Sequence, residues 1–503
     1  MRTLFRTCEI LVIAFISCAG TLYSQTSPSA ERAVDRIVAA EQRLLTRLQD
    51  LSPVVEIYVQ STQPDRDGGR PLTDAYFLGQ LDSHPKANRG QSVGPSVRLL
   101  FGKNRSERKI RFFSGTVRTL YPEGFAVMLF PDMGEFDREH YIFRSRPGEW
   151  TGGVECLVFD VVPADPTEPG RFEGVIWADK KSFSIVRVKG TFTPYPSTQY
   201  IYLHFDSRRV PLAPNFWVPV FTYVEENDGN YSKGTAGMRL LSTVKVWGYS
   251  QSADRKQPDD NVAPLTDRGE PRKRGNAVTD LLGSHHLIAP PGTTEQKLDA
   301  LIAEILRMNH LVEDQIHCRV LLSQPFDIFS VGSTIFVSRG LVNQVRDIGS
   351  MKVLLARQIA TILLGHSDEV MAHPKDLFAE SVMFSGFTAP ETRQEEREAD
   401  LLAQKLTAEA ANTENLMSAE NWLRNAASHE QLTPNLLRAR FGGAGVLRQY
   451  AYLISGQRQW KTGAPQPLVS TRPQQLIEGE LQVNPFTDSL VPEAVANSDG
   501  PIN

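Results

Sequence analysis

Histidine, cysteine and acidic side chains ligate metals, attack carbonyls and move protons, so their spacing is the first clue to chemistry. The chain has 503 residues with ten histidines and four cysteines. His310 and His373 lack a partner at helical spacing and read as surface or capping residues, and His366, also unpaired, reads as a non-ligating histidine. His285 and His286 adjoin a polar stretch and can hold a metal only adventitiously. Cys156 and Cys318 sit in β-like apolar runs (VECLVFDVV and IHCRVLL), where cysteine behaves as a small buried hydrophobe. No G-x-S-x-G elbow occurs, and FGGAG at 441–445 lacks the strand-to-helix pattern of a phosphate loop. The segment LLARQIATILLGH (354–366) stands out. Its apolar positions Leu354, Leu355, Ile359, Ile362 and Leu363 recur at helical spacing, and Arg357, Gln358 and Thr361 lie between them. Arginine cannot lose its proton to ligate a metal, glutamine cannot act as a base, and threonine is a poor zinc ligand.

The elements that must position such residues begin with what looks like an export signal at residues 1–24. Arg2 and Arg6 precede an apolar run from Ile10 to Ala19, with small residues before Gln25 and cleavage expected after Ala19 or Ser24. Cys18 is preceded by Phe15-Ile16-Ser17, a poor lipobox. No later apolar run approaches the roughly 20 residues a membrane span needs. These features imply an exported protein, periplasmic or associated with the outer membrane. A hydrophobic content of 41% supplies ample core, and a net charge of −4 gives no general basic surface for nucleic acid.

Residues 29–51 read as an amphipathic helix through Val34, Ile37, Val38, Leu44, Leu45, Leu48 and Leu51, stopped by Pro53. Residues 62–94, rich in Asp, Gly, Pro and Ser, read as a long excursion. Ten short aromatic and β-branched segments follow: SVRLLFG, KIRFF, FAVMLF, HYIFRS, VECLVFDVV, FEGVIWAD, FSIVRVKGTF, QYIYLHFD, WVPVFTYVEE and LLSTVKVWGY. They predict one large antiparallel sheet within a domain spanning 25–250. Residues 251–292 mix both charges with Pro and Gly and read as a linker. Residues 293–460 are expected to be mostly helical, with a β-like stretch at 318–338, and residues 461–503 to be a disordered tail. Separate packing of the two halves is expected from so polar a linker.

The segment FEGVIWADKKSFSIVRVKGTF (172–192), a strand, polar turn and strand, resembles the repeated hairpin of the LolA-like lipoprotein-carrier family. That resemblance covers about residues 29–250 and implies a leading helix packed into a curved antiparallel sheet. A groove for acyl chains is its functional implication, while Trp177, Phe192, Tyr202, Phe205 and Trp217 read more simply as core.

In the other half, STIFVSRGLV (333–342), MKVLLARQIATILLGH and EREADLLAQKL (396–406) occur in the order seen in the HtpX-like gluzincin family, zinc metalloendopeptidases of metallopeptidase family 48. The resemblance covers about residues 295–430. In that family one helix reads H-E-x-x-H, so that two histidines reach one zinc and the glutamate takes a proton from the bound water. A later helix supplies the third ligand. Carried onto this chain, Arg357 and Thr361 stand at the two histidine positions and Gln358 at the base. Glu396 keeps the third-ligand position and Asp400 the acid beside it.

The fold class expected is therefore α+β: a LolA-like curved antiparallel sheet with its N-terminal helix, then a mainly helical zincin-like metallopeptidase domain with a degenerate zinc motif. No catalytic residue, metal site or cofactor is expected. An active metalloendopeptidase with atypical ligands, hence zinc, is the alternative, and a lipid or lipoprotein carrier is another. The resemblance implies binding or scaffolding of envelope proteins, with a peptide pairing along an edge strand at Thr334, Ile335, Phe336, Val337 and Ser338. Lipid or lipoprotein acyl chains are the second partner class, and nucleic acid is none. Arg357 is expected to pair with Glu396 where the zinc would sit.

Overall fold

The computed structural model describes residues 28–63, 70–87, 93–100, 108–111, 117–193, 203–226, 239–249, 271–312, 316–324, 327–345, 348–368, 393–410, 476–477 and 479–492. The expected signal segment, Tyr202, His373 and FGGAG lie outside these residues. Among the described residues, no helix is long and apolar enough to cross a membrane.

Helix α1 (Pro28–Leu48) buries Val34, Ile37, Ala40, Leu44 and Leu48, the stripe its three- and four-residue spacing predicts. The strands follow as β1 (Val54–Gln63), β2 (Arg70–Ala87), β3 (Val93–Leu99), β4 (Arg108–Arg111) and β5 (Val117–Leu120). After the short helix α2 (Glu123–Ala126) come β6 (Tyr141–Thr151), β7 (Val154–Pro163), β8 (Phe172–Asp179) and β9 (Ile185–Phe192). The series ends with β10 (Leu203–Ala213), β11 (Phe216–Glu226) and β12 (Arg239–Trp247). Ten of them form one antiparallel sheet in the order β3-β2-β1-β12-β11-β10-β9-β8-β7-β6. Every neighbour but β1 and β12 is consecutive in sequence, so the sheet is a meander whose first hairpin arm closes onto its last strand. A helix leading into one large antiparallel sheet is the order expected for the N-terminal half.

The strands composing that sheet differ from those expected. β2 lies wholly within residues 62–94, read as an excursion, and most of β1 falls in the stretch after Pro53, to which no strand was assigned. FAVMLF (125–130) is helical, with α2 running into a 3-10 turn at Val127–Leu129. It is apolar at every position without alternation, and Phe125, Ala126, Met128, Leu129 and Phe130 are all buried. KIRFF contributes to the separate β4–β5 pair.

Alternation along the strands assigns the two faces. Val55, Ile57 and Val59 of β1 join Phe77, Leu81, Val244 and Val246 in the core that also takes Leu44 and Leu48 of α1. Val54, Leu78 and Trp247 point the other way, into a cluster with Val278, Leu282, Val320 and Phe336 from the second half of the chain. That half comprises α3 (Pro271–Ser284), α4 (Thr293–Met308), β13 (His317–Leu321), β14 (Ile328–Val331), β15 (Thr334–Ser338), α5 (Arg339–Gln344), α6 (Ile348–Leu363), α7 (Arg393–Ala410), β16 (Leu481–Val483) and β17 (Leu490–Pro492). It is a mixed three-stranded sheet, ordered β13-β15-β14, packed with helices.

Separate packing of the halves is thus corrected: they share one buried cluster. The second part of the expected linker is α3, whose Val278 and Leu282 are fully buried. Part of the expected disordered tail is ordered as well. Leu476, Ile477 and Leu481 are buried, and Asn343 brackets Leu481 by donating to its carbonyl (3.1 Å) and accepting from its N–H (2.8 Å).

A buried ion pair crosses the shared face. Glu56 Oε2 accepts from Arg339 Nη2 at 2.9 Å, and both residues are at most 3% exposed. Glu56 Oε1 accepts from the Tyr76 hydroxyl (2.7 Å) and the Gln324 N–H (2.8 Å), and Arg339 Nε donates to the Leu322 carbonyl (2.9 Å). Burial, then the Glu56 charge, pushes the Tyr76 phenol well above its usual pKa, so it stays a donor. Removing one member of such a pair leaves a naked charge in the core, so Arg339→Ala is expected to lose about 3–5 kcal/mol in urea denaturation. The two halves should unfold in one transition; two resolved transitions would contradict the shared core.

Candidate functional site

The sequence-derived site residues meet where α6 packs on α7. Arg357 and Thr361, four apart on α6, share the face turned toward α7. Arg357, Thr361 and Asp400 are each 7% exposed. Arg357 Nε donates to Asp400 Oδ1 at 2.8 Å, and its Nη1 donates to the Thr361 hydroxyl. Thr361 donates back to the Arg357 carbonyl at 3.1 Å, a turn-closing bond common for threonine in helices. Gln358 and Glu396 are half-buried.

The carboxylate that meets Arg357 is therefore Asp400, and the expected pairing with Glu396 is corrected by one helical turn. The reason lies in α7, where Ala399, Asp400, Ala403 and Leu406 form the buried stripe and Glu396 sits at its more open N-terminal end. A guanidinium is thus held against Asp400 at one of the positions where the gluzincin resemblance places a zinc ligand. The donor set does not fit the metal: the arginine is a permanent cation, and the threonine oxygen is committed to hydrogen bonds. Among the described residues, no group of three or more His, Cys, Asp or Glu is arranged to hold a metal ion.

The expected peptide-pairing strand is also corrected. Thr334–Ser338 is β15, the central strand, parallel to β13 on one side and antiparallel to β14 on the other. All five residues are buried. With both ladders filled, β15 has no free backbone edge for another chain.

The outer edge of β13 is covered differently. Asp299 Oδ1 accepts from the Cys318 N–H (2.6 Å) and Glu295 Oε1 from the Val320 N–H (3.1 Å). These carboxylates are four apart on α4, and Cys318 and Val320 are two apart on the strand, so helical and strand periodicities match across the contact. The remaining edge bonds run from the Ala289 N–H to the Val320 carbonyl (2.8 Å) and from the Leu322 N–H to the Leu287 carbonyl (2.9 Å).

A cleft of about 590 Å³ opens beside this contact, lined by Thr334, His317, Cys318, Glu295, Asp299 and Arg319 among others. Glu295 Oε2 also accepts from the Gly292 N–H at the start of α4 and from Arg319 Nη1, 3.3 Å away. Burial raises the Glu295 carboxyl to about 7, against the opposing pull of Arg319, and burial likewise raises Asp299. Cys318 lies in the same wall, but burial holds its thiol well above the usual pKa, which suppresses the thiolate. Cleft, carboxyl pair and perturbed acid are the features by which functional sites are recognised. Glu295 and Asp299 belong to no sequence motif, and their four-residue spacing at the head of an amphipathic helix is the one signal that marks them.

The remaining candidates take structural places. His286 Nδ1 lies 2.6 Å from Asp488 Oδ2, and His366 Nε2 lies 3.9 Å from Glu398. Cys156 and Cys318 are free and buried. On the α1 side of the sheet, Phe205 packs against Phe172 and Phe192 at centroid distances of 5.9 and 5.2 Å. Trp177 and Trp217 belong to a separate cluster with Cys156, Val158 and Val186. The expected core aromatics among the described residues thus divide between both faces.

No family model matches the chain, and no curated protein does either. Among solved structures it is similar to a DUF1329 family protein from Desulfovibrio piger, at 12% identity and a TM-score of 0.22, covering 41% of this chain and 91% of that one. It is also similar to MucB, at 11% identity and a TM-score of 0.16, covering 44% and 93%. A third similarity is to the Pseudomonas aeruginosa MucA/MucB complex, at 10% identity and a TM-score of 0.14, covering 43% and 94%. At TM-scores this low, the ten-stranded topology itself remains the ground for the fold.

Glu295 makes stability depend on pH. With its folded pKa near 7 and its unfolded value near 4.5, the native state binds the extra proton between those values. Stability therefore falls as pH rises through that window, by up to about 3 kcal/mol if the whole shift is expressed. Urea denaturation from pH 4.5 to 7.5 should show that decline, and Glu295→Gln should flatten it. An unchanged slope in the variant would assign the dependence elsewhere.

Proposed function

We propose that this protein is a non-catalytic binding protein of the cell envelope, whose C-terminal half is a peptidase-like scaffold carrying an arginine at a metal-ligand position. The Arg357–Asp400 pair, buried between α6 and α7, carries this reading. It sets a fixed cation against a helix pair that the gluzincin resemblance would use to bind zinc. Recognition then falls to the cleft beside Thr334, whose wall presents carboxyl, imidazole, guanidinium and hydroxyl groups. Such a mixed wall suits a polypeptide segment of another exported protein better than an acyl chain, which needs an apolar lining. The LolA-like order of the N-terminal half agrees with a place in the envelope.

Restoring the missing groups tests the proposal. The purified wild-type chain should carry no stoichiometric zinc and cleave neither casein nor a peptide library above background. The triple variant Arg357→His, Gln358→Glu, Thr361→His should acquire about one equivalent of zinc by elemental analysis, because i and i+4 histidines reach one metal. Chelator-sensitive cleavage by the wild-type protein would overturn the non-catalytic reading. A folded triple variant that takes up no zinc would overturn the peptidase-like one.

A further inference from the structure

A second cleft, on the opposite side of the large sheet, lies where α1 approaches the β8–β9 and β10–β11 turns. Its volume is about 370 Å³, and its walls are mostly polar. Arg36, Arg43 and Arg47 of α1 line it, together with Lys181 from the β8–β9 turn. The arginines are seven and four residues apart, so they form a column along one flank of the helix beside the stripe that enters the core. All four cationic residues are exposed.

Charge in this cleft is unbalanced. Glu41 supplies the carboxylate of the lining, and Arg209 occupies it through both oxygens, at 2.6 and 2.7 Å, with each side chain only 1% exposed. That bidentate pair is neutral. No carboxylate among the described residues forms an ion pair with Arg36, Arg43, Arg47 or Lys181. The whole chain is meanwhile net negative, at −4, so four uncompensated cations around one cleft depart from its general character. Two of the guanidinium groups are also positioned by aromatic rings. Arg36 lies 3.6 Å from the centroid of Phe183, and Arg47 lies 5.1 Å from that of Phe216. Arg209, on the cleft wall, has an Nε that finds no acceptor among the described residues.

We propose that this cleft binds a phosphate-bearing ligand. Several guanidinium forks on one wall and an ammonium on another suit a tetrahedral phosphate anion, whose unesterified oxygens accept charge-assisted hydrogen bonds. Mutual repulsion among the four cations is relieved when the anion enters. Polar walls and modest volume fit the phosphate portion of a molecule rather than a hydrocarbon chain. Soluble phosphate esters and phospholipid headgroups share this chemistry. The site is remote from α6 and α7, and it stands whether or not the C-terminal half is catalytic.

Titration calorimetry of the full chain with glycerol 3-phosphate tests the soluble source, and co-sedimentation with phosphatidylglycerol vesicles, against phosphatidylcholine, tests the lipid source. Binding to either probe should weaken with added salt. It should fall at least about tenfold in Arg43→Gln/Arg47→Gln, which removes two charge-assisted contacts. Both side chains are exposed, so the fold should persist; if the double variant melts early, Lys181→Gln on the facing turn should weaken binding in its place. Binding of the ester alone assigns free phosphate esters, and binding of the vesicles assigns headgroups. Absence of binding to both probes, or equal binding by folded variants, would overturn the proposal.

Discussion

Arg339 and Glu56 are 283 residues apart in sequence and in direct contact in the core. Much of the C-terminal architecture depends on that contact. Arg339 begins α5, and Ser338 caps that helix by accepting from the Leu341 N–H. The same guanidinium holds the Leu322 carbonyl just past β13. Gly340 follows because a Cβ there would lie 1.6 Å from the Gln324 carbonyl oxygen, and the Gln324 N–H is itself bonded to Glu56. One ion pair therefore sets where β13 ends, where α5 starts and how both lie against the large sheet. A buried pair of this kind adds little net stability, since desolvation offsets attraction, but any packing that separates its members leaves a bare charge in the core.

The same device recurs. Arg209 meets Glu41 beneath α1, and Arg357 meets Asp400 between α6 and α7. Each pair joins elements distant in sequence, and each is largely shielded from water. Apolar surface alone tolerates sliding and repacking, whereas a buried guanidinium accepts few geometries. Specification of a single packing is the reading we favour for all three. Between α6 and α7 the arginine supplies the positive charge that the buried Asp400 carboxylate requires.

Closure of strand edges shapes what the protein can recognise. Glu295 and Asp299 spend their oxygens on the outer N–H groups of β13, and β15 is paired on both sides. Backbone pairing with another chain has no footing on β15. The two clefts differ in kind. Beside Thr334 the wall carries a carboxyl whose proton is poised near neutral pH, while beneath α1 the wall carries four cations that pair with no carboxylate among the described residues.

Part of this was legible in the residues themselves. The stripe of α1, most sheet strands from Tyr141 onward, the β-like stretch before Ser338 and the α6 helix all follow from local periodicity, which a single segment expresses by itself. That arginine cannot ligate a metal and glutamine cannot act as a base is a property of side-chain type alone. The tertiary structure decided what depends on partners. Residues 54–63 and 70–87 became strands because β12 and β3 offered them ladders, and FAVMLF became helical at a buried site that asks for apolar contact on every side. Asp400 rather than Glu396 met Arg357 because only the fully buried stripe of α7 reaches α6. Arg339, which the sequence shows as one more charged residue after a strand, became the pin of the fold because Glu56 waited across an interface that no local pattern records.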